Sequence, residues 1–410
     1  MELRHSLPEP SFKLENLFCD TINDFLKNFK GLINNDIENG IELKFDLKTG
    51  SYHKKIFPKI INATPDHAKE IVEIYKDAYN GTYPYKEMED ISAIKHMIES
   101  DNFRWFIFKD EFDNTAGCFT YQLDFNQKRG YMRGFILKKK YFGTIDVVKT
   151  TIGCMIGIWS TYRDQIYVWY AENRTAHAKA QHMAKTCGIM PIAFFPNKDV
   201  FMNNIESDIM HVIYNKKALN ELRTKKPPKI IPEVAACFLY SDERYALGKV
   251  EFDLPSLQLD SIKLTKLKEN LVKRVEKDRF GYEMINLSFK NSNSYFKFLY
   301  TPQVQNFEKT KYKVDNLEEL FVFTMELKNL VRSYNARYCE CFVSAYEPEH
   351  QKIFLDIGFK PRGYVPGWNY NEETNTFEDC VVFNYFEGKI DSQIELIKES
   401  EDLLKALNEF

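Results

Sequence analysis

The sequence predicts a mixed α+β protein made of two related halves. Three observations carry that expectation. From Lys59 to Tyr214 the residue patterns run β-α-α-β-β-β-α-β-α-β-β. A segment of that half matches another 170 residues downstream. The chain has 410 residues, 44% apolar and 28% charged, enough for two or three globular domains of ordinary composition.

Taken in order, residues 12–33 carry Phe18, Ile22, Phe25, Phe29 and Leu32 at helical spacing, and Ile41, Leu43, Phe45 and Leu47 alternate as in a strand. Residues 1–58 are therefore read as a small N-terminal α+β extension. Lys59–Ala63 is a strand, and Thr64-Pro65-Asp66 opens a helix through Tyr75. A second helix covers Ser92–Glu99. Strands follow at Phe103–Lys109, Ala116–Asp124 and Gly130–Lys138. Ile145, Val148, Ile152, Met155, Ile156 and Trp159 form one helical face. Gln165–Ala171 is a strand, Thr175–Cys187 a helix stopped by Gly188, and Phe194–Phe201 and Asp208–Tyr214 are the closing strands.

Thr224–Pro232 holds three Pro and three Lys and reads as a linker, so the first domain is placed at 59–223 and the second at 233–410. In the second, Asp315–Tyr334 and Glu349–Ile357 read as helices, and Arg337–Ser344, Lys360–Pro366 and Asp379–Phe386 as strands. Ser392–Leu407 is an acidic amphipathic helix. The repeat aligns Gln181 with Gln351, Gly188 with Gly358, Pro191 with Pro361 and Pro196 with Pro366; Ala193 meets Gly363. Each copy is a helix, a glycine stop, and a strand ending in proline.

Several function classes recede. The net charge of −3 lacks the basic excess of a nucleic-acid binder. The longest apolar run, Ile152–Trp159, is far below the ~20 residues of a membrane span. No leader pattern opens the chain, so a cytoplasmic location is expected. The eight cysteines, at 19, 118, 154, 187, 237, 339, 341 and 380, form no Cys-x-x-Cys pair; reduced core cysteines and no metal are expected.

The element order, and the Lys140-Tyr141-Phe142-Gly143-Thr144 loop between a strand and a helix, resemble the GNAT-type N-acetyltransferase superfamily. Lys140, Gly143 and Ile145 stand where that family carries Arg or Gln, Gly, and Gly or Ala. Asn173 and Gly188-Ile189 fall on its next strand–helix–strand, and Gly358-Phe359 on the second copy. The resemblance implies a tandem protein of two such domains, each with a central, mostly antiparallel sheet flanked by helices. It implies acetyl-CoA as acyl donor and an amine acceptor. The coenzyme would lie against Leu137, Lys138, Lys139, Lys140, Tyr141, Phe142, Gly143, Thr144 and Asn173. The physics of the loop agrees: a helix N-terminus offers free N–H groups, and glycine allows close approach to a pyrophosphate.

Acyl transfer to an amine needs a base for the amine and an acid for the leaving thiolate. The family's tyrosine acid falls on Ala184 here and on Phe354 in the second half. Glu172, at the end of a strand, is the candidate base, with Tyr131 beside it. Tyr83 and Tyr85 are candidate acceptor-pocket residues. In the second half Glu308–Asp315 corresponds to the loop and lacks glycine, so no coenzyme site is expected there. The competing reading is a non-catalytic acyl-CoA-binding or scaffold protein. An aminoacyl-tRNA-dependent transferase fits less well, given the acidic balance.

Overall fold

A computed structural model of the chain describes residues 58–390 and 394–409. The helix expected over 12–33 and the strand over 41–47 lie outside the described residues. The first half comprises β1 (Lys59–Asn62), α1 (Ala68–Tyr79), α2 (Ile91–Glu99), β2 (Phe103–Lys109), β3 (Thr115–Asp124), β4 (Arg129–Leu137), α3 (Val147–Tyr162), β5 (Val168–Arg174), α4 (Lys179–Thr186), β6 (Met190–Phe201) and β7 (Asn204–Tyr214). This is the expected order. β5 runs three residues further than expected, so Asn173 is a ladder residue opposite Ile209, not a residue after the strand.

After the short α5 (Lys216–Asn220) come β8 (Lys229–Ile230), α6 (Ala235–Tyr245), β9 (Glu251–Phe252) and α7 (Ser261–Asn270). Then follow β10 (Leu271–Lys277), β11 (Glu283–Phe289), β12 (Tyr295–Thr301), β13 (Asn306–Lys313), α8 (Leu317–Ser333), β14 (Tyr338–Ser344), α9 (Pro348–Asp356), β15 (Lys360–Asn371), β16 (Thr376–Phe386) and α10 (Lys398–Ala406). The expected linker is docked, not free. Ile230 and Ile231 are buried, and β8 pairs in parallel with β9. Glu308–Asp315 is mostly strand β13, so the stretch equivalent to the first-half loop shrinks to Val314–Asn316.

Fourteen strands form one mostly antiparallel sheet, in the order β1-β2-β3-β4-β5-β7-β6-β15-β16-β14-β13-β12-β11-β10. Read outward from its centre, the order is the same in both directions. The halves meet at one register pair, Ala193 with Gly363, the two positions that the sequence repeat aligns. A Cβ on Gly363 would lie 2.3 Å from the Ala193 Cβ, so the strands approach this closely only because residue 363 has none.

Two parallel pairings interrupt the antiparallel pattern. β4 pairs with β5 only over Arg129–Tyr131, and β13 with β14 only over Asn306–Phe307; beyond those points the strands part. β4 and β13 each carry a bulge, at Gly134 and at Lys309, both with positive φ. In the first half α1 and α2 cover one sheet face and α3 and α4 the other. In the second half α6, α8 and α9 pack on one face around Phe238, Phe296, Phe323 and Phe354, with Leu264 and Leu267 of α7 against the same cluster.

The matching positions of Gln181 and Gln351 in the repeat have a structural reason. Gln181 Nε2 donates to the Arg174 and Glu395 carbonyls, and its Oε1 accepts from the Ile397 N–H. Gln351 Nε2 donates to the Ser344 and Lys229 carbonyls, and its Oε1 accepts from the Ile231 N–H. Each glutamine thus clamps the end of its own strand to a segment that has crossed from the other half. The chain leaving β7 lays α6 against β15, and the chain leaving β16 lays α10 against β6. The arms are exchanged.

Gly363→Val is expected to destabilise the protein by about 2 kcal/mol, the range for forcing bulk into a closed contact. The check is the urea midpoint with the slope unchanged. An unshifted midpoint would show that β6 and β15 separate without cost.

Candidate active site

The parting of β4 from β5 opens a cavity of about 1510 Å³ that continues along the seam between the halves. On its β4 side the bulge sets two residues, Gly134 and Phe135, against one of β3, taking them out of the regular ladder. Gly134 is required there: at φ +65° a Cβ would meet the Tyr75 hydroxyl at 2.3 Å. On the β5 side stand Glu172, Asn173 and Arg174, and α3 and α4 add Thr151 and Met183.

The loop from Lys138 to Asp146 joins β4 to α3 at the mouth of this cleft. Tyr141 is buried and its hydroxyl donates to Asp110 Oδ2 at 2.6 Å, while the Lys139 N–H donates to Asp77 Oδ2 at 2.7 Å. These bonds fix the loop from below. Gly143 has φ +78° and open space where a side chain would project. Lys139 and Lys140 are exposed, and Lys139 Nζ donates to Asn80 Oδ1. Leu137 and Phe142 reach the cavity wall; Lys138, Lys139, Lys140, Tyr141, Gly143 and Thr144 stand outside it, Tyr141 as the loop's anchor.

The floor is charged and comes from both halves. Lys198, 1% exposed, places Nζ 2.9 Å from Glu172 Oε2 and 3.0 Å from Glu340 Oε2. Burial works against its charge, yet Glu172 and Glu340 outweigh it and hold the ammonium above the usual lysine range. Tyr338 donates to Glu340 at 2.8 Å, and Tyr85 donates to Asp199 at 2.7 Å. Burial raises Asp199 to about 6 and Glu340 to about 7. Asp208 is raised too, by burial and then by facing Asp199, and its Oδ1 has no hydrogen-bond partner. Asn173 Nδ2 and His177 Nδ1, on the same cavity wall, are also unpartnered.

The three positions related by the repeat carry no charge of their own, and the Arg129 guanidinium lies 4.0 Å over the Trp368 ring. Lys198 corresponds to Trp368, Glu172 to Phe342 and Glu340 to Tyr170, each pair 170 residues apart. Trp368 stacks on Phe342 at 4.7 Å and meets Tyr170 edge-on at 4.9 Å, so a ring sits between two rings where an ammonium sits between two carboxylates. Asp199 corresponds to Asn369, and Asp208 to Cys380, which accepts from Asn369 Nδ2 at 3.0 Å. The second strand parting borders the same cavity, through Tyr312, Ser344, Glu347 and His350. Tyr312 packs on Phe296 and Phe354, and its hydroxyl meets His350 Nδ1 at 3.3 Å. The α8 N-terminus is capped from within: Asn316 Oδ1 accepts from the Glu319 N–H, and buried Glu319 Oε2 accepts from Ser294 Oγ and the Asp315 N–H. The Asn316 amide and the Glu319 carboxylate already occupy the place an anion would take.

The expected residues Tyr83, Tyr85, Tyr131, Glu172 and Asn173 all come to the cavity wall. Tyr131 stacks on Tyr170, with its hydroxyl 3.4 Å from Glu172 Oε2. Glu172 carries the Lys198 ammonium and is not a free carboxylate. Ala184 lines the wall without a hydroxyl, as its sequence position implied. Sequence reasoning missed Lys198, Asp199, Asp208 and Glu340. The charged Lys198-Asp199 step inside an otherwise apolar strand was the available signal.

Lys198→Met is expected to destabilise by about 3–5 kcal/mol at pH 8, because two buried carboxylates lose their counter-charge. The loss should shrink at pH 5, below the value of about 7 for Glu340, where that group is protonated. Asp199 has the opposite consequence. Its raised value means that its neutral form is favoured on folding, so its contribution is full below 3.8 and lost as pH rises through about 6. Asp199→Asn should therefore match the wild type near pH 4 and exceed it by up to about 3 kcal/mol at pH 8, read by urea unfolding at both pH values.

No protein-family model matches the chain, and no curated protein matches it in sequence. Among solved structures it is similar to the dodecameric spermidine N-acetyltransferase of Vibrio cholerae, at 14% identity over 40% of this chain and 96% of that one, with a TM-score of 0.34. It is also similar to the spermidine/spermine N-acetyltransferase SpeG of Vibrio cholerae crystallised with manganese ions, at 15% identity over 40% of this chain and 95% of that one, with a TM-score of 0.33.

Proposed function

We propose that the chain is an acyl-CoA-dependent N-acyltransferase whose working site lies in the first half, with acetyl-CoA as donor and a cationic amine as acceptor. One observation carries this reading. The first strand parting opens beside an anchored, glycine-bearing loop at a helix start and ends on a charged floor; at the second parting the helix start is capped by Asn316 and Glu319, no glycine stands beside it, and a trio of rings replaces the charged floor. The two halves are read as a tandem of one fold with one site retained.

In this reading the pyrophosphate lies over Gly143, and Lys138, Lys139 and Lys140 add charge that salt screens. Leu137, Phe142 and Asn173 hold the rest of the coenzyme. Its acyl arm enters between β4 and β5 and pairs with the exposed edge of β4. The bulge at Gly134 and Phe135 aims backbone N–H groups at the thioester oxygen, where negative charge develops. The acceptor arrives as an ammonium among the carboxylates, with Tyr83 and Tyr85 as walls. Asp208, whose Oδ1 is unpartnered, takes one proton and leaves a neutral amine. The nitrogen attacks the thioester carbon, the C–N bond forms and the C–S bond breaks. The thiolate leaves and takes the proton held by Asp208, and the acylated nitrogen passes its remaining extra proton to the freed Asp208, from which it goes to water. Lys198, held by Glu172 and Glu340, keeps the floor from accumulating unbalanced charge, and Tyr131 fixes Glu172.

The missing hydroxyl at Ala184 favours one alternative, an acyl-CoA-binding protein that does not turn over. Single-turnover release of free thiol separates the two. Acetyl-CoA at about 100 times its dissociation constant should stabilise the wild type by about 2.7 kcal/mol. Gly143→Val, strained at φ +78°, should bind acetyl-CoA at least tenfold more weakly while staying folded. Asp208→Asn should keep coenzyme affinity and lose about a hundredfold or more in turnover. Unaltered acetyl-CoA binding by Gly143→Val would remove the loop from the site. Unaltered turnover by Asp208→Asn would remove the proposed base.

A further inference from the structure

In the first half both sheet faces are covered by helices. In the second half the elements before β10 pack on the same face as α8 and α9, and among the described residues no helix lies on the opposite face of β10–β13. The two faces differ sharply. Along β11, and along β12 as far as Phe298, every second residue is buried and the residues between are not. Cross-strand register places Arg274, Asn286, Lys297 and Lys311 in one row on the open face, with Lys313 in the next row beside Tyr295. Lys297 and Lys311 stand directly opposite one another, an arrangement of like charges that costs stability unless something neutralises it. Among the described residues, no carboxylate pairs with Arg274, Lys297, Lys309, Lys311 or Lys313. Lys297 Nζ rests 5.4 Å from the centre of the Tyr295 ring. Lys297, Lys311 and Lys313 border the mouth of the cavity.

We propose that this open face docks an extended acidic peptide segment. The match is one of charge and spacing. Lys309, Lys311 and Lys313 alternate along one strand, so Lys311 and Lys313 project to one side at about 6.7 Å, the interval at which alternate carboxylates project from an extended chain. Arg274, Lys297 and Lys311 repeat across strands, so a peptide can cross them in a second row. Glu276 and Glu308 bound the row on the side of the cavity floor, which disfavours an unbroken line of phosphates and suits a peptide whose acidic stretch ends there. This docking surface stands or falls apart from the acyl-transfer reading, because it is defined by direct binding.

The test uses the full chain and a fluorescein-labelled octaglutamate peptide followed by anisotropy. The wild type should bind, and binding should weaken as salt is raised. Lys297→Glu with Lys311→Glu should weaken binding about tenfold or more, and Lys297→Gln with Lys311→Gln should weaken it less while melting at or above the wild type. Lys266→Glu with Lys268→Glu, on α7 away from the open face, should bind as the wild type does. The proposal is overturned if the peptide does not bind, or if binding survives the Lys297 and Lys311 reversal. Tighter binding of oligo(dT) than of the peptide at equal salt would assign the face to nucleic acid and overturn it. So would displacement of the peptide by acetyl-CoA, which would make the face part of the coenzyme cleft.

Discussion

The whole arrangement turns on how closely β6 and β15 can approach. At Ala193 and Gly363 the two central strands meet at one pair of positions, and only a residue without a Cβ opposite a residue with a small one permits it. That contact makes one sheet of fourteen strands. It also sets the extended ends of β6 and β15 across the opposite half. Lys198 reaches Glu340 and Trp368 reaches Tyr170 because each strand continues past the crossing. The charged floor follows from the geometry of the join, and neither half could assemble it alone.

The same symmetry separates the two sites chemically. Substituting an ammonium and two carboxylates for three rings keeps the packing role and changes the electrostatics entirely. Three rings in contact gain dispersion and need no proton bookkeeping. A buried lysine between two glutamates costs desolvation and is retained only where its charges align. That expense is met on one side of the pseudo-axis, the side with the glycine-bearing loop.

Much of the fold was legible in residue patterns. The eleven elements from β1 to β7 and the helices and strands after Asp315 were read in their correct order and type, because alternation, helical spacing and glycine stops mark them locally. Ends were missed where β6 begins at Met190, β7 at Asn204 and α10 at Lys398, and where β15 runs on to Asn371. β10–β13 were passed over although Met284–Phe289 and Tyr295–Leu299 alternate visibly; the open face fills every second place with polar residues, and the run resembles surface chain. The segment 224–232 was read as a linker from its prolines and lysines, and Ile230 and Ile231 overrode that composition by burial. The aromatic wall of Tyr83, Tyr85 and Tyr131 and the position of Glu172 came from the sequence. The pairing of Lys198 with Glu172 and Glu340 did not, because its partners lie 26 and 142 residues away and only the crossing brings them together.

The exchanged arms bear on how the molecule is made. Gln181, in α4, completes its hydrogen bonds with Glu395 and Ile397, which leave the ribosome more than two hundred residues later. Until then the end of β5 has lost a clamp and the flank of β6 lies uncovered. The first half therefore waits, partly assembled, for the last helix, and contacts of such long sequence separation are the slow ones to form. During that wait the bare flank of β6 is the surface most exposed to wrong pairing, including with the same strand of a neighbouring nascent chain.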